Sequence, residues 1–92
     1  MSVIGKRIRA IRESTGLGRT VWSRELGIDE AQLTRTELQR SDARDEIIEA
    51  VGKKYPEYAY WLVTGKTDPQ AGHISPAIED KRKDSDERGV AG

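Results

Sequence analysis

Apolar residues along this chain recur at helical spacing. Ile4, Ile8 and Ile11 lie four and three residues apart, forming one stripe at 3.6 residues per turn, and predict a first helix over residues 3–15. Lys6, Arg7, Arg9, Arg12 and Glu13 fill its other faces, Gly16 stops it, and Leu17 turns back onto the core. Trp22 and Leu26 predict a second helix, opened by Gly18-Arg19-Thr20 with Gly18 or Thr20 as its cap, and broken at Gly27. Asp29 is the expected N-cap of a third helix, anchored by Leu33 and running to about Leu38 or Arg40, with Gln32 completing a capping box. Ser41 or Asp42 is expected to cap a fourth helix through about Lys54, with Ile47, Ile48 and Val51 on its apolar face. Pro56 suits the first turn of a fifth helix over 57–63, because its missing N–H has no partner there anyway. Thr64-Gly65 closes that helix. No stretch alternates with a period of two, so the predicted fold class is all-α.

After Lys66 the pattern stops. Pro69, Gly72 and Pro76 break any helix, and the run KRKDSDERGVAG is charged and short of large apolar groups. Such a segment buries too little surface to offset its ordering entropy. The expected organisation is therefore a folded domain over 1–66 and a mostly disordered, flexible tail over 67–92, with Ile74 and Ile78 able to dock onto the domain.

Composition narrows the functional classes. The 92 residues suffice for one small domain, and 35% of them are hydrophobic, enough for a modest core. Cysteine is absent, which excludes disulfides and thiolate metal sites and fits a reducing cytoplasm, the expected location. One histidine, His73, in a polar stretch does not suggest a metal site, so no metal and no cofactor is expected. No apolar run approaches a membrane span, no signal-peptide pattern precedes Lys6, and no nucleophile–base pair suggests an enzyme. The formal net charge is +0, yet residues 1–28 carry six basic residues (Lys6, Arg7, Arg9, Arg12, Arg19, Arg24) against two acidic ones (Glu13, Glu25). Phosphate contacts are made by one face of a protein, so that local excess outweighs the total.

Two short helices joined by a glycine turn and an N-cap aspartate, GLGRTVWSRELGIDEAQLTRTE, are the chemistry of a helix-turn-helix. In that unit the first helix braces a second that can enter a DNA major groove. Together with IGKRIRAIRE before it, the LGI turn, then Leu33, Arg35 and Glu37, and the ending PEYAYWLVTG, the chain resembles the phage-repressor and Cro-like helix-turn-helix family over residues 3 to about 66. The resemblance implies a compact five-helix, lambda-repressor-like domain.

It also implies roles, position by position. Arg19 falls where members grip a backbone phosphate. Glu30, Ala31, Thr34 and Arg35 fall on the groove-facing side of the recognition helix, with Gln32 at its margin. Arg35 is suited to guanine O6 and N7, and Glu30 to the amino group of cytosine. Arg40 and Arg44 fall at phosphate-contacting positions. Trp22, Leu26, Ile28 and Leu33 match core positions, and Ser23 matches a close helix crossing. Tyr58, Tyr60, Trp61 and Val63 belong to a run that is apolar nearly all round, more than a monomer's surface helix needs, and are the expected homodimer contacts.

The chain departs from the family pattern in three ways. Leu38-Gln39 stands where members place a helix-ending glycine, and Thr36 occupies a position that is usually large and apolar. Residues 29–39 carry Asp29, Glu30 and Glu37 against Arg35 alone, an unfavourable balance beside phosphates: Asp29 is accounted for as a cap, Glu37 by an internal pair with a core-side arginine, and Glu30 only by base reading. The expected function is a small regulator of transcription, repressor or activator, binding double-stranded operator DNA as a homodimer. The rival expectation is a protein-interaction module of the same shape, an antirepressor or inhibitor acting on another regulator protein.

Overall fold

Each apolar stripe read from the sequence becomes a buried helix face. The computed structural model describes residues 3–77 of the chain. Five α-helices run in order: α1 (Val3–Thr15), α2 (Arg19–Leu26), α3 (Glu30–Glu37), α4 (Asp45–Lys54) and α5 (Pro56–Thr64), followed by a 3-10 turn at Pro69–Ala71. No strand occurs among the described residues beyond one isolated antiparallel bridge between Asp68 and His73. None of the described helices is long and apolar enough to cross a membrane.

Ile8 and Ile11 from α1, Trp22 from α2, Leu33 from α3, Ile47 and Val51 from α4, and Tyr58 and Leu62 from α5 meet in a single core. Leu17, Leu26, Ile28 and Ile48 pack half-buried around it. Burial of this apolar set is the main stabilising term. Two polar features lock the layers together. The Trp22 indole N–H donates to the Tyr55 hydroxyl at 2.9 Å, so the one polar atom of the buried ring is satisfied. Arg7 reaches from α1 to donate to the Leu62 carbonyl at 3.2 Å, placing a cation at the carbonyl end of α5.

Helix α1 meets α3 at backbone contact. A Cβ on Gly5 would overlap the Thr36 carbonyl oxygen, and Thr36 is itself fully buried. Thr36 is thus fully buried at this close crossing, with its carbonyl oxygen facing Gly5. Its hydroxyl is satisfied within the helix, donating to the Gln32 carbonyl at 2.8 Å.

Several boundaries differ from the sequence expectation. Helix α4 begins at Asp45 with Arg44 as N-cap, and neither Ser41 nor Asp42 caps it. The Ser41 hydroxyl instead lies 3.4 Å from the Gln32 amide nitrogen, from which it accepts. The capping box of α3 is half formed: Asp29 accepts from the Gln32 backbone N–H at 2.9 Å, but the Gln32 side chain turns away to other partners. The domain also continues past residue 66. His73 and Asp68 exchange backbone hydrogen bonds of 2.7 and 2.9 Å, and the Ile74 N–H donates to the Glu57 carbonyl at 2.9 Å. Ile74 docks as the sequence allowed, with Ser75 and Pro76 buried beside it. Ile78 and the charged run that follows it lie outside the described residues.

Candidate nucleic-acid interface

The turn between α2 and α3 is built by one left-handed helix end and one cap. Gly27 takes φ 70°, and its N–H and that of Ile28 return to the Arg24 and Ser23 carbonyls, closing α2 in a Schellman turn. Asp29 restarts the chain as N-cap of α3. At the far end of α3, Gln39 adopts φ 62°, and the N–H groups of Gln39 and Arg40 return to Thr36 and Arg35. The same Schellman turn is thus made with glutamine where the family pattern has glycine. The left-handed conformation costs a residue with a Cβ about 1 kcal/mol or more.

The acidic balance of α3 changes once Glu37 is located. Its carboxylate is fully buried and accepts from Arg12 Nε at 2.8 and 3.1 Å, from Arg12 Nη2 at 2.9 Å and from Arg19 Nε at 3.0 Å. Glu37 therefore faces inward between two arginines and adds no negative charge to the outer face of α3. Arg12 also donates to the Leu17 carbonyl at 3.0 Å, tying the α1–α2 connection into the same cluster. Sequence reading allowed Glu37 an internal arginine but named neither Arg12 nor Arg19 as its partner.

Arg19 thus has a structural duty as well as an outward one. Its Nε is spent on Glu37, while its side chain keeps 28% exposure at the first turn of α2. Gly18, the N-cap, supplies no side-chain acceptor, so the first-turn N–H groups of α2 lie beside an arginine rather than a capping oxygen.

On α3, Glu30, Ala31 and Arg35 are exposed and Thr34 is half-buried. These four share the side of the helix that the rest of the domain leaves open. Glu30 accepts a hydrogen bond from the Thr20 hydroxyl, which links an α3 carboxylate to α2. Gln32 does not join them. It is 8% exposed and directed into the fold, and its carbonyl accepts from Arg35 Nη2 at 2.8 Å. Arg40 is exposed just past α3, and Arg44 at the start of α4. Between α3 and α4 lies a cleft of about 400 Å³ lined by Asp29, Gln32, Arg35, Arg44 and Glu46 among others.

The expected dimer residues divide. Tyr58 is 7% exposed and belongs to the core, stacked on Tyr55 at 6.0 Å, so it is not available to a partner. Trp61 is half-buried against the core, while Tyr60 and Val63 are exposed at 38% and 59%. Tyr60 also faces the His73 ring at 5.2 Å, because the segment after α5 folds back across it. Comparison with protein-family models and with curated proteins finds no match to this chain.

Proposed function

We propose that this chain is a small DNA-binding regulator of transcription, lambda-repressor-like, acting in the cytoplasm as a homodimer on double-stranded operator DNA. The observation that carries the proposal is the open outer side of α3. Glu30, Ala31 and Arg35 are exposed there and Thr34 is partly so, with arginines at both flanks, while Leu33, the one large apolar residue of α3, points inward. Arg19 at the first turn of α2, with Arg40 and Arg44 beyond α3, would hold phosphates; Arg35 and Glu30 would read base edges. Burial of Glu37 takes one of the three negative charges of residues 29–39 off that face, leaving Asp29 as a cap and Glu30 for base reading. In a homodimer, two such helices would meet half-sites one helical turn, about 34 Å, apart.

Selection from a random duplex pool is expected to return a two-fold symmetric motif, with affinity falling steeply as salt rises. Arg35→Ala should relax one position of that motif, and Arg19→Ala should weaken binding to all sequences alike. Recovery of no motif, or wild-type behaviour of both variants, overturns the proposal. The rival reading, a module that docks on another regulator protein, draws on Glu30, an exposed carboxylate fixed at the start of α3. One stoichiometric protein partner, with no salt-sensitive DNA retention, decides for it.

A further inference from the structure

We infer that Gln32 is the positioning residue for Arg35: it holds the guanidinium and so determines which base pair Arg35 reads, without touching DNA itself. The inference rests on the DNA-binding function proposed above.

Every polar end of Gln32 is engaged. Its backbone N–H donates to Asp29 at 2.9 Å and its backbone carbonyl accepts from Thr36 at 2.8 Å. The side-chain oxygen accepts from Arg35 Nη2 at 2.8 Å, and the side-chain nitrogen lies 3.4 Å from the Ser41 hydroxyl. The orientation of the amide follows from chemistry, because a guanidinium has only donors and must face the oxygen. Ser41 then holds the other end, so the loop after α3 braces the residue that braces Arg35. At 8% exposure Gln32 is walled in, whereas Arg35 is exposed: an inner residue steers an outer one.

The chemistry leaves Arg35 competent. A guanidinium has five N–H donors and Gln32 takes one, so enough remain for the two-bond fork onto guanine O6 and N7. Holding an exposed arginine in place before binding reduces the freedom it loses on binding. Gln32 also settles a competition. Asp29 and Glu46 line the same cleft as Arg35, and without the amide either carboxylate is an available partner for the guanidinium. The neutral carbonyl anchors Arg35 without neutralising it.

The test uses the full chain with Gln32→Ala, Gln32→Glu and Arg35→Ala, each measured on the selected operator and on duplexes changed at one base pair at a time. Wild type is expected to discriminate at the Arg35 position by about tenfold or more. Gln32→Ala should lose most of that discrimination there alone, with preference elsewhere and the salt slope unchanged. Gln32→Glu keeps an acceptor, with the Ser41 hydroxyl free to rotate and donate to it, and should keep the preference at that base pair, while its added charge neutralises Arg35 and lowers affinity for every duplex alike. Without DNA, the Arg35 guanidinium N–H signals should be resolved in wild type and averaged in Gln32→Ala. Full discrimination in Gln32→Ala, or an equal loss at every position, overturns the positioning role and leaves DNA binding standing. A wild-type chain with no base preference overturns both.

Discussion

Replacing Glu37 with glutamine keeps the shape of the side chain and removes one negative charge from between two guanidinium groups. Three things then change together. The bonds from Arg12 at 2.8 and 2.9 Å and from Arg19 at 3.0 Å lose their charge assistance. A carbonyl in place of Oε1 still reaches both arginines, but the N–H₂ in place of Oε2 must then point at Arg12 Nε, donor against donor. Arg12, whose side chain is 12% exposed, keeps a buried charge whose only remaining charged partner is repulsive. Removing one member of a buried ion pair costs about 3–5 kcal/mol. Arg19, at 28% exposure, can turn to water, which favours the lower end. A loss of about 3 kcal/mol is expected, a large share of the roughly 5–15 kcal/mol typical of a whole domain. At about 4–8 °C per kcal/mol for a domain of this size, Tm should fall by roughly 12–24 °C. Urea unfolding followed by the fluorescence of buried Trp22 measures the change, and an unaltered m value shows that the native state is compared with the same unfolded state. The double variant Arg12→Met/Glu37→Met should recover most of the loss, since an apolar replacement of a buried pair is often neutral. If Glu37→Gln lies within 1 kcal/mol of wild type, on the order of a surface pair, the cluster is not the internal lock described above.

Three further outcomes follow from single contacts. Gln39→Gly should stabilise the domain by about 1 kcal/mol by relieving the left-handed strain at φ 62°, and a lower denaturation midpoint refutes this account of the α3 terminus. Gly5→Ala, which in an exposed helix gains about 1 kcal/mol, should instead lose about 1–3 kcal/mol because the new methyl meets the Thr36 carbonyl; a gain in Tm removes the claim of backbone contact. Side-chain hydrogen bonding and the charge of Lys53 hold the exposed Glu49 carboxyl below its ordinary pKa, and carboxyl NMR should show the value returning toward normal in Lys53→Met. Because the folded value is the lower one, any stability from this pair is present above the ordinary glutamate range and fades as pH falls through the folded pKa.

The helices were legible because burial imposes periodicity. Ile8, Ile11, Trp22, Leu33, Ile47 and Val51 all occupy the core that their spacing predicts. Placing Tyr58 at a dimer surface failed for a related reason: a helix apolar nearly all round does not reveal which face turns inward. The Arg12–Glu37 pair spans 25 residues and has no local signature. The fold-back after α5 was legible only as the option that Ile74 docks, because backbone hydrogen bonds hold it and they have no period to read. Gln32 was misplaced because its position on α3 is marginal. Burial there is decided by Ser41 and Arg35, not by spacing.

The contact between Gly5 and Thr36 separates two jobs within one helix. With no side chain interposed between α1 and α3, the seating of the recognition element is fixed by main chain. Ala31 and Arg35 are exposed and take no part in that seating, so they are open to exchange while the scaffold stays still. If α3 reads DNA as proposed, a lineage built on this arrangement can drift from one target sequence to another by changing its outward letters, and need not learn to fold again each time.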